Sequence, residues 1–129
     1  MYKEIIISIF VIATVFSFDF VTQNYTKNTI GQLSNELYNL EQDIREEKMS
    51  DKDIEKNTNE LYNKWMKHLE TLAFFIEHDE LEKVETNFTA GKSFIESKKY
   101  TDAMSEFEKT SFVLTHIKEK YLFSLENIF

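Results

Sequence analysis

The chain of 129 residues contains no cysteine and no proline, and its only two glycines are Gly31 and Gly91. Without cysteine it has no disulfide, no thiolate zinc site, no cysteine nucleophile and no lipidated cysteine anchor. Two isolated glycines supply neither a glycine-rich phosphate loop nor many tight turns. Cations are also scarce relative to acids, and the resulting net charge of −8 makes nucleic acid an unsuitable partner.

A long uncharged stretch stands at the N-terminus. Residues 5–18, IIISIFVIATVFSF, carry no charge, and Phe20 and Val21 extend the apolar run beyond Asp19. About seventeen residues is the lower limit for a membrane span, and the absence of a polar face argues against a buried helix of a soluble protein. The bulky sequence VFSFDFV offers no small-x-small cleavage site. The run therefore predicts an uncleaved membrane anchor.

The charges that flank this run predict its orientation. Lys3 and the terminal amine precede it, and the first cation after it is Lys27. The positive-inside rule then favours a single-pass protein in the cell membrane, with a cytoplasmic N-terminus and an extracytoplasmic domain.

Beyond residue 21 the apolar positions repeat with helical periodicity, and no segment alternates as a strand does. We divide the chain into a membrane anchor at 1–21, a juxtamembrane joint at 22–29 and a helical domain at 30–129. Because the joint lacks proline, the anchor could equally continue straight into the first domain helix. The expected fold is all-α: one N-terminal transmembrane helix, then an antiparallel bundle of about four helices.

Four apolar stripes define the expected domain helices. Ser50 is a helix cap, Asp79 with Glu82 is a second cap signature near His78, and Ser97 opens a short turn. Around Gly91 and Phe107 the chain looks like one tetratricopeptide-type hairpin, a single unit that forms no superhelix. The stripes are Ile30, Leu33, Leu37, Leu40 and Ile44; Ile54, Leu61, Trp65, Leu69, Leu72 and Ile76; Leu81, Val84, Phe88, Gly91 and Ile95; and Tyr100, Ala103, Met104, Phe107, Ser111, Leu114 and Ile117.

No motif of catalysis or tight metal binding is present, so we expect neither an enzyme nor a cofactor. The sequence Gly91-Lys92-Ser93 lacks the earlier glycine and the preceding strand of a phosphate-binding loop. None of the three histidines has the Glu-x-x-His or His-Glu-x-x-His spacing of a metal site. The acidic run at 77–82 could hold a divalent cation weakly, although acids at a helix start more commonly complement the helix dipole.

Five residues are candidate partner contacts. A carboxylate at the end of an apolar span either reaches the headgroup region or contacts another membrane protein. Trp65, Phe88 and Phe107 fit the core, but two adjacent phenylalanines at 74 and 75 cannot both face one stripe. The C-terminal SLENIF presents three apolar side chains on one helical turn, which dock either on the bundle or on a partner. The candidates are Asp19, Phe75, Leu125, Ile128 and Phe129.

The second half resembles domain of unknown function family 4363, small membrane-anchored helical proteins of spore-forming Firmicutes. The likeness is carried by Trp65 and Leu69, by residues 75–81 (FIEHDEL) with Val84-Glu85, by His116-Ile117 and by the terminal SLENIF. The family supplies no catalytic or cofactor residues. The resemblance implies an envelope location. Members of the family are often encoded beside multi-span membrane proteins of the YetF-like kind, which implies an accessory role.

We therefore expect a non-catalytic accessory or scaffold subunit that binds an envelope or multi-span membrane protein, with membrane lipid contacting its N-terminal helix. The alternative is an extracytoplasmic ligand- or cation-binding domain. A defined cavity with convergent polar groups would favour the alternative, whereas a dry core beside an exposed apolar patch would favour the subunit.

Overall fold

The computed structural model describes the backbone of residues 1–126 and the side chains of residues 1–121. Within that range it contains four α-helices and no strand: α1 (Tyr2–Arg45), α2 (Asp51–Leu72), α3 (His78–Glu96) and α4 (Tyr100–Glu126). Each of α1 and α3 packs against both α2 and α4, so the helices alternate in direction around a common core. The expected all-α bundle is confirmed.

The first helix unites the apolar N-terminal segment (residues 5–21) with the first helix of the bundle. It continues through 22–29 without a break, because no proline or glycine interrupts it there and because Thr26 and Thr29 are already buried in the bundle. Of the two possibilities for this joint, the structure has the continuous one. The N-terminal part of α1 is long and apolar enough to cross a membrane, and its most apolar window is not buried by any residue that the structure describes.

We call the end of the bundle nearest the apolar segment the proximal end and the opposite end the distal end. The turn between α2 and α3 and the last described turns of α4 lie at the proximal end. The turns after Arg45 and Glu96 lie at the distal end, where Tyr100 donates a hydrogen bond to Asp51.

The four apolar stripes meet in one core, as their spacing predicted. Trp65 is 2% exposed, and Phe88 and Phe107 are equally well buried, which confirms all three as core residues. Only about 10 Å³ of free space lies beside Trp65, too little for more than one water molecule. The interior of the bundle is therefore filled by its own side chains.

The helix ends confirm some sequence signals and correct others. Ser50 caps α2 by accepting a hydrogen bond from the Asp53 amide at 3.2 Å, as predicted. The second cap was wrong: α3 does begin at His78, but its cap is Glu77 and not Asp79. The backbone amide of Glu77 donates a hydrogen bond of 2.9 Å to the hydroxyl of Tyr121. A side chain of α4 therefore satisfies this amide at the start of α3, where only a local cap was expected.

The second helix also ends earlier than its stripe suggested. It stops at Leu72, and residues 73–77 form a turn in which the amides of Phe75 and Ile76 both bond the carbonyl of Leu72. Ile76 is nevertheless buried in the core. Its side chain reaches the core from the turn, whereas the stripe predicted that it would do so from a longer α2.

The hairpin of α3 and α4 depends on a close approach at Gly91. A Cβ atom at this position would lie 2.4 Å from Cε1 of Phe107, well inside van der Waals contact. Glycine thus lets the ring of Phe107 pack directly on the α3 backbone. The turn before α4 places Lys98 at φ 58°, a left-handed conformation that ends α3 sharply.

Candidate functional site

A cleft of about 250 Å³ lies at the proximal end, between α1, α4 and the turn that joins α2 to α3. Five of its side chains come from consecutive turns of α1, on the same helix face that carries the core stripe further along. Along the bundle core this face of α1 is apolar. Towards the N-terminus it becomes polar at the cleft, before the apolar segment begins. The described lining residues are Asp19, Thr22, Gln23, Thr26, Lys27, Phe75, Lys118 and Tyr121.

An aromatic cluster adjoins this cleft. Phe75 stacks edge-on against Phe18 and Tyr25 of α1, with ring centroids 6.3 and 6.5 Å apart. The hydroxyl of Tyr25 is 2.9 Å from Nδ1 of His68, which ties α1 to α2 at the same level. The ring of Phe74 lies 6.4 Å from that of Phe75, but Phe74 is on the outer side of the turn and is 84% exposed. The turn thus splits the adjacent phenylalanines between a packed site on α1 and the surface.

Two of the five candidate contacts are brought together here, because Asp19 and Phe75 line the same cleft. The carboxylate of Asp19 accepts a weak hydrogen bond from Nε2 of Gln23, at 3.4 Å. The side chains of Leu125, Ile128 and Phe129 lie outside the described residues, so the structure does not relate the tail to the cleft.

The acidic run at 77–82 contacts Lys120 and His116 of α4. Nζ of Lys120 lies 3.2 Å from Glu77 and 3.4 Å from the buried Glu80, and Nε2 of His116 is also 3.4 Å from Glu80. Among the described residues no group of three histidine, aspartate or glutamate side chains could hold a metal ion. The acids of this run that face α4 serve the contact between α3 and α4.

A buried carboxyl group lies between α1 and α4, closer to the distal end. Glu41 is 5% exposed, and its Oε1 has no hydrogen-bond partner among the described groups. Burial raises the pKa of Glu41 to about 7, against the opposing effect of nearby Arg45 and with a smaller upward contribution from Glu108. Arg45 is itself paired with Glu108 at 2.5 Å.

Sequence reasoning missed Glu41 and the contribution of Lys118 to the cleft. The signal for Glu41 was available: it follows Leu37 by four residues and adjoins Leu40, so it shares the buried face. No comparable signal exists for Lys118, because its approach to α1 depends on how the two helices are aligned.

Comparison with known proteins places the chain in a family. The family model described as Domain of unknown function (DUF4363) matches residues 20–128. The chain belongs to this family, and the resemblance inferred from its second half is confirmed. No curated protein and no solved structure matches it.

Proposed function

We propose that this member of the family is a non-catalytic, single-pass membrane protein whose bundle acts as an accessory or scaffold subunit for an integral membrane protein. The observation that carries the proposal is the apolar segment: among the described residues only the turn at Phe75 packs against its end, and it continues without a break into the bundle. A surface that is apolar on every side is stable in lipid and costly in water. Insertion would hold the proximal end at the membrane surface.

The interior of the bundle supports a binding role over catalysis. The described core is packed mainly by apolar side chains, and the space of about 10 Å³ beside Trp65 is too small for a substrate. On the turn beside the cleft, Phe74 is an exposed aromatic side chain. We assign it as a contact with the partner, because it lies next to the proposed membrane surface and aromatic residues are enriched in protein interfaces.

The charges that flank the segment support a cytoplasmic N-terminus and an extracytoplasmic bundle. Lys3 and the terminal amine lie directly before the segment, whereas the first cation after it is Lys27, and this bias favours retention of the N-terminus on the cytoplasmic side. A partner is then an envelope or multi-span membrane protein that presents a surface at the outer headgroup layer. Multi-span proteins of the YetF-like kind are the first class to test.

Two measurements test this proposal in the native host membrane. First, the full chain should remain in the pellet after carbonate washing, with its N-terminal Met-Tyr-Lys intact. Second, a photo-reactive phenylalanine analogue at position 74 should cross-link to an integral membrane protein identified by mass spectrometry. The additional substitution Phe75→Ala should weaken that adduct, because Phe75 fixes the turn on α1.

Phe112 provides the matched control, because it is also an exposed phenylalanine, 75% exposed, but lies about 14 Å along α4 from the cleft residue Tyr121. The analogue at 112 should give no such adduct. Equal adducts at both positions would mean nonspecific capture, and adducts with lipid alone at position 74 would refute the accessory role. A soluble product that begins near residue 20 would refute membrane anchoring.

A further inference from the structure

We propose that the proximal cleft binds the phosphate group of a membrane phospholipid, with the ammonium groups of Lys27 and Lys118 as its cationic ligands. The proposal rests on the membrane insertion proposed above. It goes further by assigning the cleft a ligand of defined chemistry, independent of any protein partner.

Two lysines line the cleft. Lys27 approaches it from α1 and Lys118 from α4. Neither takes part in an ion pair with any described carboxylate, whereas Lys64 and Lys120 are both paired. Nζ of Lys118 lies 4.0 Å from the point that a Cβ on Gly31 would occupy, so this lysine extends across the surface of α1. Two like charges facing one cleft repel each other, and an anion between them removes the cost.

The remaining groups of the cleft suit an anion with several oxygens. Thr22 and Thr26 are hydroxyl-bearing residues of the lining, and hydroxyls donate hydrogen bonds to phosphate oxygens. The carboxylate of Asp19 lies two helical turns from Lys27, towards the apolar segment, and accepts a hydrogen bond from Gln23. The anion site therefore lies on the side of Asp19 away from the lipid tails.

The depth of the cleft agrees with a lipid source. Residues 5–21 rise by about 25 Å, which is less than the hydrocarbon thickness of about 30 Å. The headgroup layer, several Å thick on each side, then overlaps the turns of α1 at 22–27, which line the cleft. Lysine side chains at this level extend to the phosphates while their methylene groups stay near the apolar region. A diacyl lipid then places its phosphate at the level of Lys27, and the ammonium of Lys118, which lies beside Gly31 about one helical turn further from the apolar segment, approaches it from the opposite side.

The charge balance selects an anionic headgroup. A choline or ethanolamine cation extends beyond the phosphate, towards the two lysines, and is repelled by them. Phosphatidylglycerol has no such cation, and its headgroup hydroxyls are neutral. We therefore expect a preference for phosphatidylglycerol over phosphatidylcholine, and little binding of inorganic phosphate, which lacks the tails that hold the lipid at this depth.

Native mass spectrometry of the full chain in nonionic detergent tests the site, with phosphatidylglycerol titrated as the probe. Each of Lys27→Gln and Lys118→Gln should weaken binding about 5-fold, and the double variant about 30-fold. The double variant Lys52→Gln with Lys56→Gln is the matched control, because it removes the same charge from exposed residues at the distal start of α2. It should bind lipid as the wild type does.

The outcomes separate the two proposals. If the double variant at 27 and 118 keeps wild-type lipid affinity, or if phosphatidylcholine binds equally well, the lipid site is refuted while carbonate-resistant insertion still supports anchoring. Inorganic phosphate that displaces the lipid at equal concentration would reassign the cleft to a free anion. Release of the wild type by carbonate would refute both proposals. An unchanged urea midpoint for each variant, followed by Trp65 fluorescence, shows that the bundle remains folded.

Discussion

Replacing Glu41 with glutamine should remove most of the pH dependence of bundle stability between pH 4.5 and 8. The carboxyl group is buried between α1 and α4, and its Oε1 lacks a hydrogen-bond partner among the described residues. Burial raises the pKa of Glu41 from its ordinary value of 4.5 to about 7. Between these two pH values the folded protein therefore holds a proton on Glu41 that the unfolded chain has released.

The sign of the effect follows from this difference in proton uptake. Below pH 4.5 both states are protonated and Glu41 costs nothing. Between pH 4.5 and about 7 only the folded state binds the proton, so stability falls as pH rises, by up to about 1.4 kcal/mol per pH unit. Above pH 7 the loss levels off at about 3 kcal/mol, which is an upper value because water that enters the site reduces it.

Urea unfolding of the full chain in nonionic micelles measures this loss. Trp65 is the only tryptophan and lies in the core, so its fluorescence reports the bundle and not the apolar segment. The difference in free energy of unfolding between Glu41→Gln and wild type should grow by about 2–3 kcal/mol from pH 4.5 to pH 8. Glu55→Gln, an exposed glutamate of α2, makes the same chemical change without burial. Parallel pH profiles for wild type and Glu41→Gln would refute the reasoning.

Three further predictions concern packing. Trp65→Ala should destabilise the bundle by about 3–5 kcal/mol in a thermal melt followed by circular dichroism, and a loss below about 1 kcal/mol would contradict its core position. Gly91→Ala should cost about 1–3 kcal/mol, because the new methyl group meets the ring of Phe107, and a more stable variant would show that the ring moves freely. Removal of residues 124–129 should lower the melting temperature by several degrees if the tail docks on the bundle. An unchanged melting temperature with loss of co-purification of the membrane partner would place the tail on the partner. If neither the melting temperature nor co-purification changes, both docking sites are excluded.

The helical periodicity was enough to predict the architecture. Each stripe repeats every three to four residues, and residues spaced in this way share one face whatever the helix packs against. The core positions of Trp65, Phe88 and Phe107 followed directly. The cap at Ser50 followed as well, because its partner amide lies only three residues away.

Features that depend on two helices together were beyond the sequence pattern. At the start of α3, the amide of Glu77 donates a hydrogen bond to the hydroxyl of Tyr121 in α4. No local signal in the sequence indicates a hydrogen bond between residues 44 positions apart. The position of Lys118 beside α1, in the cleft that Lys27 also lines, likewise depends on the alignment of α4 with α1. The sequence indicated Asp19 because a carboxylate is costly in lipid, and Phe75 because two adjacent phenylalanines cannot face the same stripe. Only the tertiary structure shows that both residues line one cleft.

The unbroken length of α1 has a mechanical consequence. A helix of 44 residues is about 66 Å long, and the part beyond residue 21 forms one wall of the bundle. With the segment inserted, this helix is a stiff lever, and a tilt of about 20° at the bilayer would move its distal end sideways by about 12 Å. Bilayer thickness, which sets the tilt, would then set the lateral position of the distal end of the bundle. A short glycine-rich insertion after residue 21 would uncouple the tilt of the segment from the movement of the bundle.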